Sequence, residues 1–340
     1  MKRRTVSLAL ALAAALAVHA HPRASGPPCE FEKVDRIVAV GDVHGAYDRF
    51  VEILQTAGIV DRDVRWSGGR THLVQLGDVL DRGPDSRKAL DLLKRIEREA
   101  SGAGGRVHSL IGNHEAMRLL GDLRYVTPGE YAAFATADSE NVRRQFFQSA
   151  TPAERDRGVS ETPLGMIEMI RAFGPQGPYG SRLRGLNAVV RINGIVFLHG
   201  GISPAVSPLS CMAINDTVRR ELSEDWAKTR ESPLTSLTAR EDGPLWYRGL
   251  AQEPDSFEPS VDEILAAQHA RAMVVAHTVT PASRVVARFS GKVLLMDTGM
   301  QPAYVPDGRA SALEIRDGVF TAIYRDGREI VAGARATGAR

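Results

Sequence analysis

Cysteine is nearly absent: Cys29 and Cys211 are the only two in 340 residues. So few exclude a disulfide-built scaffold, and neither has a second Cys or a His at ligand spacing, which argues against a thiolate metal site or a Cys nucleophile. A single bridge between them stays open. Long apolar runs are missing as well. The longest, Val6 to Val18, falls short of the roughly 20 residues that cross a bilayer. Lys2-Arg3-Arg4 precedes it and Val18-His19-Ala20 closes it, the pattern of a signal peptide over residues 1–20. The expected product is exported, to the periplasm, with no stable membrane association after cleavage. Surplus charge is also missing. Without Lys2, Arg3 and Arg4 the 43 basic residues become 40, against 41 acidic ones. A near-neutral chain gives no electrostatic reason to expect nucleic acid as a partner. There is no internal repeat, and nothing specifies an oligomeric state.

What the chain does have is a set of short apolar runs that each end on glycine with Asp, Asn or His. Arg36-Ile37-Val38-Ala39-Val40 runs into Gly-Asp-Val-His-Gly at 41–45. Further runs enter Gly-Asp-Val-Leu-Asp-Arg-Gly at 77–83, Gly-Asn-His-Glu at 112–115 and His-Gly-Gly at 199–201, and Met273 to Ala276 ends on His277. Residues 21–33 read as a linker, and a single catalytic domain is expected over 34–330. Within it, strands at 35–41, 71–77 and 106–112 alternate with helices at 46–57, from Pro84, and near Glu115. That βαβαβ order predicts parallel strands whose ends share one edge.

Residues 116–186 carry apolar residues at helical spacing between Pro and Gly breaks and predict a helical insertion that walls the site. Asn193-Gly194 between two apolar runs predicts a tight hairpin. A helix is expected at 209–228. Ser260 to Glu263 reads as a capping box opening a helix that ends near 270. Short alternating strands at 284–289, 292–297, 311–316 and 319–324 predict a second, mainly antiparallel sheet, and 331–340 a flexible tail. His72, His108 and His269 lie outside the motifs and read as packing residues.

Strand ends thus offer Asp42, His44, Asp78, Asn113, His199 and His277, all oxygen or imidazole ligands that suit Mn, Fe or Zn. They exceed what one tetrahedral ion takes, so two divalent ions sharing Asp78 are expected. Two such ions hold a phosphate dianion and activate a shared water. Arg82 and Arg248 offer forked, always-charged donors for the phosphate oxygens. His114 is placed to protonate the leaving oxygen, with Asp81 orienting it.

With these motifs the chain resembles the calcineurin-like metallophosphoesterases, and within them the phosphoprotein phosphatase branch. Gly-Asn-His-Glu-Ala-Met, Leu120 to Val126, His-Gly-Gly-Ile-Ser-Pro at 199–204 and Trp-Tyr-Arg-Gly at 246–249 are similar to the Shewanella-like protein phosphatases. The resemblance implies an α/β fold, a two-sheet β-sandwich flanked by helices, over about 35–325. It also implies one ion on Asp42, His44 and Asp78 and another on Asp78, Asn113, His199 and His277. His114 would be the general acid with Asp81 as partner, and Arg82 and Arg248 phosphate ligands. The segment that eukaryotic Ser/Thr phosphatases place over their site has no match; Asp297 to Met300 and Tyr304 stand roughly there.

The function expected is hydrolysis of phosphoprotein or phosphopeptide monoesters by a hydroxide bridging the two ions, with no phosphoenzyme; by analogy with some relatives the monoester is that of tyrosine. The alternatives are a hydrolase of dinucleoside polyphosphates or other small phosphoesters, and a metal-stabilised binding protein without turnover. Fold and motif do not separate the two hydrolases, while His114, Asp81 and Arg82, which no metal requires, argue against the third.

Overall fold

The computed structural model describes residues 26–333. The signal peptide expected over 1–20 and the part of the expected tail beyond 333 lie outside the described residues. Among the described residues twelve strands form two six-stranded sheets. In chain order they are β1 (Glu30–Phe31), β2 (Ile37–Val40), β3 (His72–Gln75), β4 (Arg106–Ser109), β5 (Val189–Ile192), β6 (Ile195–Leu198), β7 (Ala272–Val275), β8 (Val286–Arg288), β9 (Val293–Leu295), β10 (Ala312–Arg316), β11 (Val319–Tyr324) and β12 (Gly327–Ala332). One sheet has the order β1-β5-β6-β7-β9-β8, the other β12-β11-β10-β2-β3-β4. The parallel run β2-β3-β4 is the βαβαβ unit expected from the sequence.

Strand alternation makes the sandwich. Ile37 and Ala39 of β2 pack in one cluster with Phe197, Val274 and Leu294 of the other sheet. Val38 and Val40, facing the opposite way, pack with Phe50, Ile53 and Leu93 from the helices. The helices are α1 (Tyr47–Thr56), α2 (Ser86–Gly102), α3 (Asn113–Leu119), α4 (Pro128–Ala132), α5 (Ser139–Phe146), α6 (Pro152–Glu161), α7 (Met166–Phe173), α8 (Gly180–Arg184), α9 (Cys211–Ser223), α10 (Trp226–Glu231), α11 (Gly249–Gln252) and α12 (Glu258–Ala267). The stretch from α3 to α8 is helical and short-jointed, and Phe134, Met169, Phe173 and Leu183 bury it against the core.

Several expectations need correction. The C-terminal strands do not form a sheet of their own. β8 and β9 join β7, with β9 parallel to it, whereas β10 lies antiparallel on β2 and carries β11 and β12 with it. Pairing across the sandwich has no local sequence signature, so alternation alone could not assign these strands to a sheet. The expected tail begins inside β12. The expected linker contains β1, which runs parallel to β5, and buried Cys29, which is disulfide-bonded to Cys211 on α9. Ser260 does not open a helix: α12 begins two residues earlier, at Glu258, with Pro259 in its first turn, where a missing N–H costs nothing. The expected helix at 209–228 is two helices, α9 and α10, and Ser210 caps the first by accepting from Ala213 N–H. Asn193 and Gly194 both adopt positive φ and set the β5–β6 hairpin, as do Asp317 and Gly318 between β10 and β11.

His72 and His108 sit opposite the motif-bearing strand ends. Their rings meet at 3.1 Å (Nε2 of His108 to Nδ1 of His72), both beside Phe31. Burial, with Arg106 nearby, lowers His72 to about 4; burial, then His72 and Arg106, lowers His108 to about 3. Both are neutral in the fold, while the unfolded chain takes up protons below about pH 6.5. Stability contributed by the pair is therefore complete above pH 6.5 and lost as pH falls through the folded values. His108→Phe should flatten the decline of the urea midpoint between pH 6.5 and 4, and an unchanged slope would contradict this.

Candidate metal and phosphate site

Glycine after β3 and after β4 lets two backbones close on one point. Gly77 has φ +94°, and a Cβ on it would come within 2.6 Å of Gly112 N and Cα. Gly112 likewise has no room for a Cβ, which would collide with Asp78 Oδ1. The loops after β2, β3 and β4 therefore touch. Val43 and His44 N–H both donate to Asp78 O at 2.9 Å, and Gly45 N–H to Val79 O at 2.9 Å. Five non-glycine residues here hold positive φ: His44, Asp78, Asp81, Arg82 and His277. Each such residue costs on the order of 1–3 kcal/mol and persists only where its surroundings over-determine it.

Glu115 supplies much of that determination, and sequence reading gave it no role. Its Oε2 accepts from Asp78 and Gly112 N–H at 2.8 Å each, and its Oε1 from Val79 N–H at 2.8 Å and Leu80 N–H at 3.2 Å. One buried carboxylate thus collects four backbone donors, three from the Gly-Asp-Val-Leu turn and one from Gly112. Its place after Asn-His was visible; its partners were not.

The expected ligands converge. Asp42 and His44 follow β2, Asp78 follows β3, Asn113 begins α3 after β4, and His199 and His277 follow β6 and β7 of the other sheet. All six are buried. His44 gives its Nδ1–H to Leu80 O at 2.7 Å, which turns its Nε2 lone pair toward Asp42 Oδ2 and Asp78 Oδ2, both 3.7 Å away. His199 gives its Nδ1–H to Leu76 O at 2.9 Å. Its Nε2 then lies 2.8 Å from Asn113 Oδ1 and 3.2 Å from Asp78 Oδ2. His277 Nδ1 is 3.1 Å from the same nitrogen, and its Nε2 is buried with no hydrogen-bond partner. Lone pairs crowded in a buried space fit a cation.

Two ligand groups emerge, His44–Asp78–His114 and Asp78–His199–His277, each with its donor atoms within 4.8 Å of one another. Asp78 belongs to both. Burial pushes the His44 imidazole down to about 4 and His277 to about 2, so both are neutral and free to ligate. Burial would raise Asp78, but the surrounding imidazoles hold it well below the usual carboxylate range. Asp42 goes the other way: burial, then the charges of Asp297 and Asp78, raise it well above that range.

Asp297, given no role by the sequence beyond its position, is buried and hydrogen-bonds to Asp42, its pKa also raised by burial. Two carboxyls in that contact share a proton until a cation replaces it. The Asp-Thr-Gly that follows apolar β9 repeats the pattern of the other strand ends and was the available signal.

The remaining predicted residues border this cluster. His114 Nδ1 is 2.7 Å from Asp81 Oδ2 and its Nε2 3.9 Å from Asp78 Oδ2. Burial opposes its protonated form, but Asp78 and Asp81 outweigh burial and raise its pKa. The raised pKa separates His114 from His44, its ring neighbour at 4.7 Å, whose pKa burial lowers. Arg82 Nη2 stands 3.3 Å from His114 Nε2, and its Nε and Nη1 are buried without a partner. Its guanidinium carbon lies 3.5 Å from the centre of the Tyr304 ring and 5.4 Å from that of Tyr125. Arg248 is less free: its Nη1 donates to His277 O at 2.8 Å and Thr278 Oγ1 at 3.0 Å, which ties it to the ligand loop.

A family model described as calcineurin-like phosphoesterase matches residues 35–281. The chain belongs to the calcineurin-like phosphoesterases. Among these hydrolases it is 31% identical over 307 residues to Shewanella-like protein phosphatase 2 of Arabidopsis thaliana, covering 84% of this chain and 76% of that one. It is 29% identical over 269 residues to Shewanella-like protein phosphatase 1 of Plasmodium berghei, covering 78% and 67%. Among solved structures it matches the cold-active protein-tyrosine phosphatase of a psychrophilic Shewanella with a TM-score of 0.72 and 27% identity, covering 91% of this chain and 83% of that one. The calcineurin-like phosphoesterase fold, two mixed sheets flanked by helices, is thus shared with a solved phosphatase.

If Asp78 serves both groups, Asp78→Asn should lower bound metal in the reconstituted protein to one ion per chain or fewer. Elemental analysis that still finds two ions would contradict a shared carboxylate.

Proposed function

We propose that this phosphoesterase removes phosphate from phosphorylated proteins or peptides, and that Arg82 carries the phosphate. The observation behind this is the Arg82 guanidinium, two of whose nitrogens are buried and unpartnered, beside an imidazole whose pKa is raised by Asp78 and Asp81. Arg82 Nη2 and His114 Nε2 are both donors when His114 is protonated, so neither satisfies the other at 3.3 Å. An anion against both satisfies both. The names of the relatives support a phosphoprotein as the source of that anion, and phosphotyrosine is the monoester named in the solved neighbour.

Two divalent ions, Mn, Fe or Zn, would be held by Asp42, His44 and Asp78 and by Asp78, Asn113, His199 and His277, and when bound they supply the charge that binds phosphate and activates water. The chain's own groups do the rest. Arg82 orients the ester, its guanidinium steadied by the Tyr304 face. Arg248 lies against the His277 loop, where it adds a second positive charge to the phosphate side. Asp81 accepts the Nδ1–H of His114 and so leaves the Nε2 proton facing the site. That proton goes to the leaving oxygen as the phosphorus–oxygen bond breaks, and the alcohol departs neutral. Export to an oxidising compartment is part of the same proposal, supported by the leader-like pattern and by the Cys29–Cys211 bridge.

Acid catalysis of this kind contributes roughly 10²–10⁴-fold where the leaving oxygen needs a proton. His114→Asn should therefore slow turnover of phenyl phosphate far more than that of 4-nitrophenyl phosphate, with two ions still bound. Equal losses on both substrates would remove His114 from the acid role.

A further inference from the structure

Arg118 lies four residues after His114 on α3, on the same side of the helix. Its side chain is 1% exposed. One nitrogen, Nη2, donates to Asp81 Oδ1 and, at 3.2 Å, to Glu130 Oε1. The other, Nη1, points at Met169 Sδ at 3.3 Å, and the guanidinium lies 4.9 Å from the centre of the Phe173 ring. Glu130 in turn accepts from Asp81 N–H at 3.3 Å and, through its second oxygen, from Thr127 N–H at 3.2 Å, closing the capping box of α4.

Asp81 is therefore held at three points. His114 takes Oδ2, Arg118 takes Oδ1 and Glu130 takes the backbone N–H of a residue with φ +69°. Arg82 N–H, the next along, donates to Tyr125 O at 3.0 Å. Tyr125 and Glu130 on α4 also hold Asp81 and Arg82, and Met169 and Phe173 on α7 pack against Arg118. A deep ion pair adds little net stability over apolar residues of the same size, so stability accounts poorly for it. Its geometry accounts for it better: with both Asp81 oxygens and its N–H engaged, the imidazole has one orientation.

We propose that Arg118 and Glu130 are positioning residues for proton transfer, through which the helical insertion sets the direction of His114. The inference rests on His114 acting as the acid. It assigns the insertion a part in the chemical step, because α4 reaches Asp81 directly through Glu130 and α7 packs on Arg118.

The test uses the metal-reconstituted enzyme with Arg118→Met, Arg118→Lys, Glu130→Ala and Glu130→Gln, and His114→Asn as the reference. Each is assayed on phenyl phosphate and 4-nitrophenyl phosphate, with bound metal counted. Since the acid itself is worth roughly 10²–10⁴-fold, loss of its aim in Arg118→Met should cut kcat on phenyl phosphate by about 10- to 100-fold. On 4-nitrophenyl phosphate the loss should stay under about threefold, because that leaving group departs without a proton. KM and two bound ions should be retained, Arg118→Lys should recover most of the loss, and Glu130→Gln should lose less than Glu130→Ala. Equal losses on the two substrates, or losses that follow metal content, would overturn the inference while a selective His114→Asn leaves the acid intact. A non-selective His114→Asn would overturn both. Should Arg118→Met not fold, Glu130→Gln and Arg118→Lys carry the same comparison with charge or size nearly preserved.

Discussion

Three carboxylates, Asp42, Asp78 and Asp297, and three imidazoles, His44, His199 and His277, are buried together where strands of two sheets end. Burying these acceptors is costly unless a cation or a proton stands between them. Their backbone clamps leave little choice. Leu80 O and Leu76 O accept from Nδ1 of His44 and of His199, which turns Nε2 of each ring toward the carboxylates. The sandwich is organised to hold this concentration of negative charge, with β2, β3 and β4 on one side and β6 and β7 on the other.

The structure holds the arrangement with rigid backbone. Positive φ at His44, Asp78, Asp81, Arg82 and His277 is unfavourable residue by residue. It survives because Glu115 gathers four N–H groups, Asp78 O receives two more, and Gly77 and Gly112 permit the loops to touch. Such preorganisation is what an electrostatic catalyst needs, since groups already in place cost no reorganisation when charge develops. The Arg118–Glu130 pair extends the same logic outward, from the ligand shell to the proton donor and from the sheets to the inserted helices.

Much of this was legible in the sequence. A buried strand reads as an apolar run, and Gly-Asp, Gly-Asn-His or a lone His at its end reads as a ligand-bearing turn, so Asp42, His44, Asp78, Asn113, His199 and His277 could be collected before any coordinates. Asp81, His114 and Arg82 came with the same motifs, and the structure places all of them around one point. Arg248 was harder: its motif was visible, but its bonds to His277 O and Thr278 are tertiary. Glu115, Arg118, Glu130 and Asp297 were missed as working residues because their roles consist mostly of contacts made across 12 to 255 positions, which no local pattern encodes. The division of the last five strands between two sheets was missed for the same reason, and β1 escaped because two residues are too short to show alternation.

The most direct test counts metal and measures phosphate release on one preparation of the protein, reconstituted with Mn, Fe or Zn and offered phosphotyrosine, phosphoserine and phosphothreonine peptides beside a dinucleoside tetraphosphate. The account predicts two ions per chain and release from peptide monoesters that chelation abolishes. Two bound ions with release from none of the peptides, or release undiminished after the ions are stripped, would contradict it.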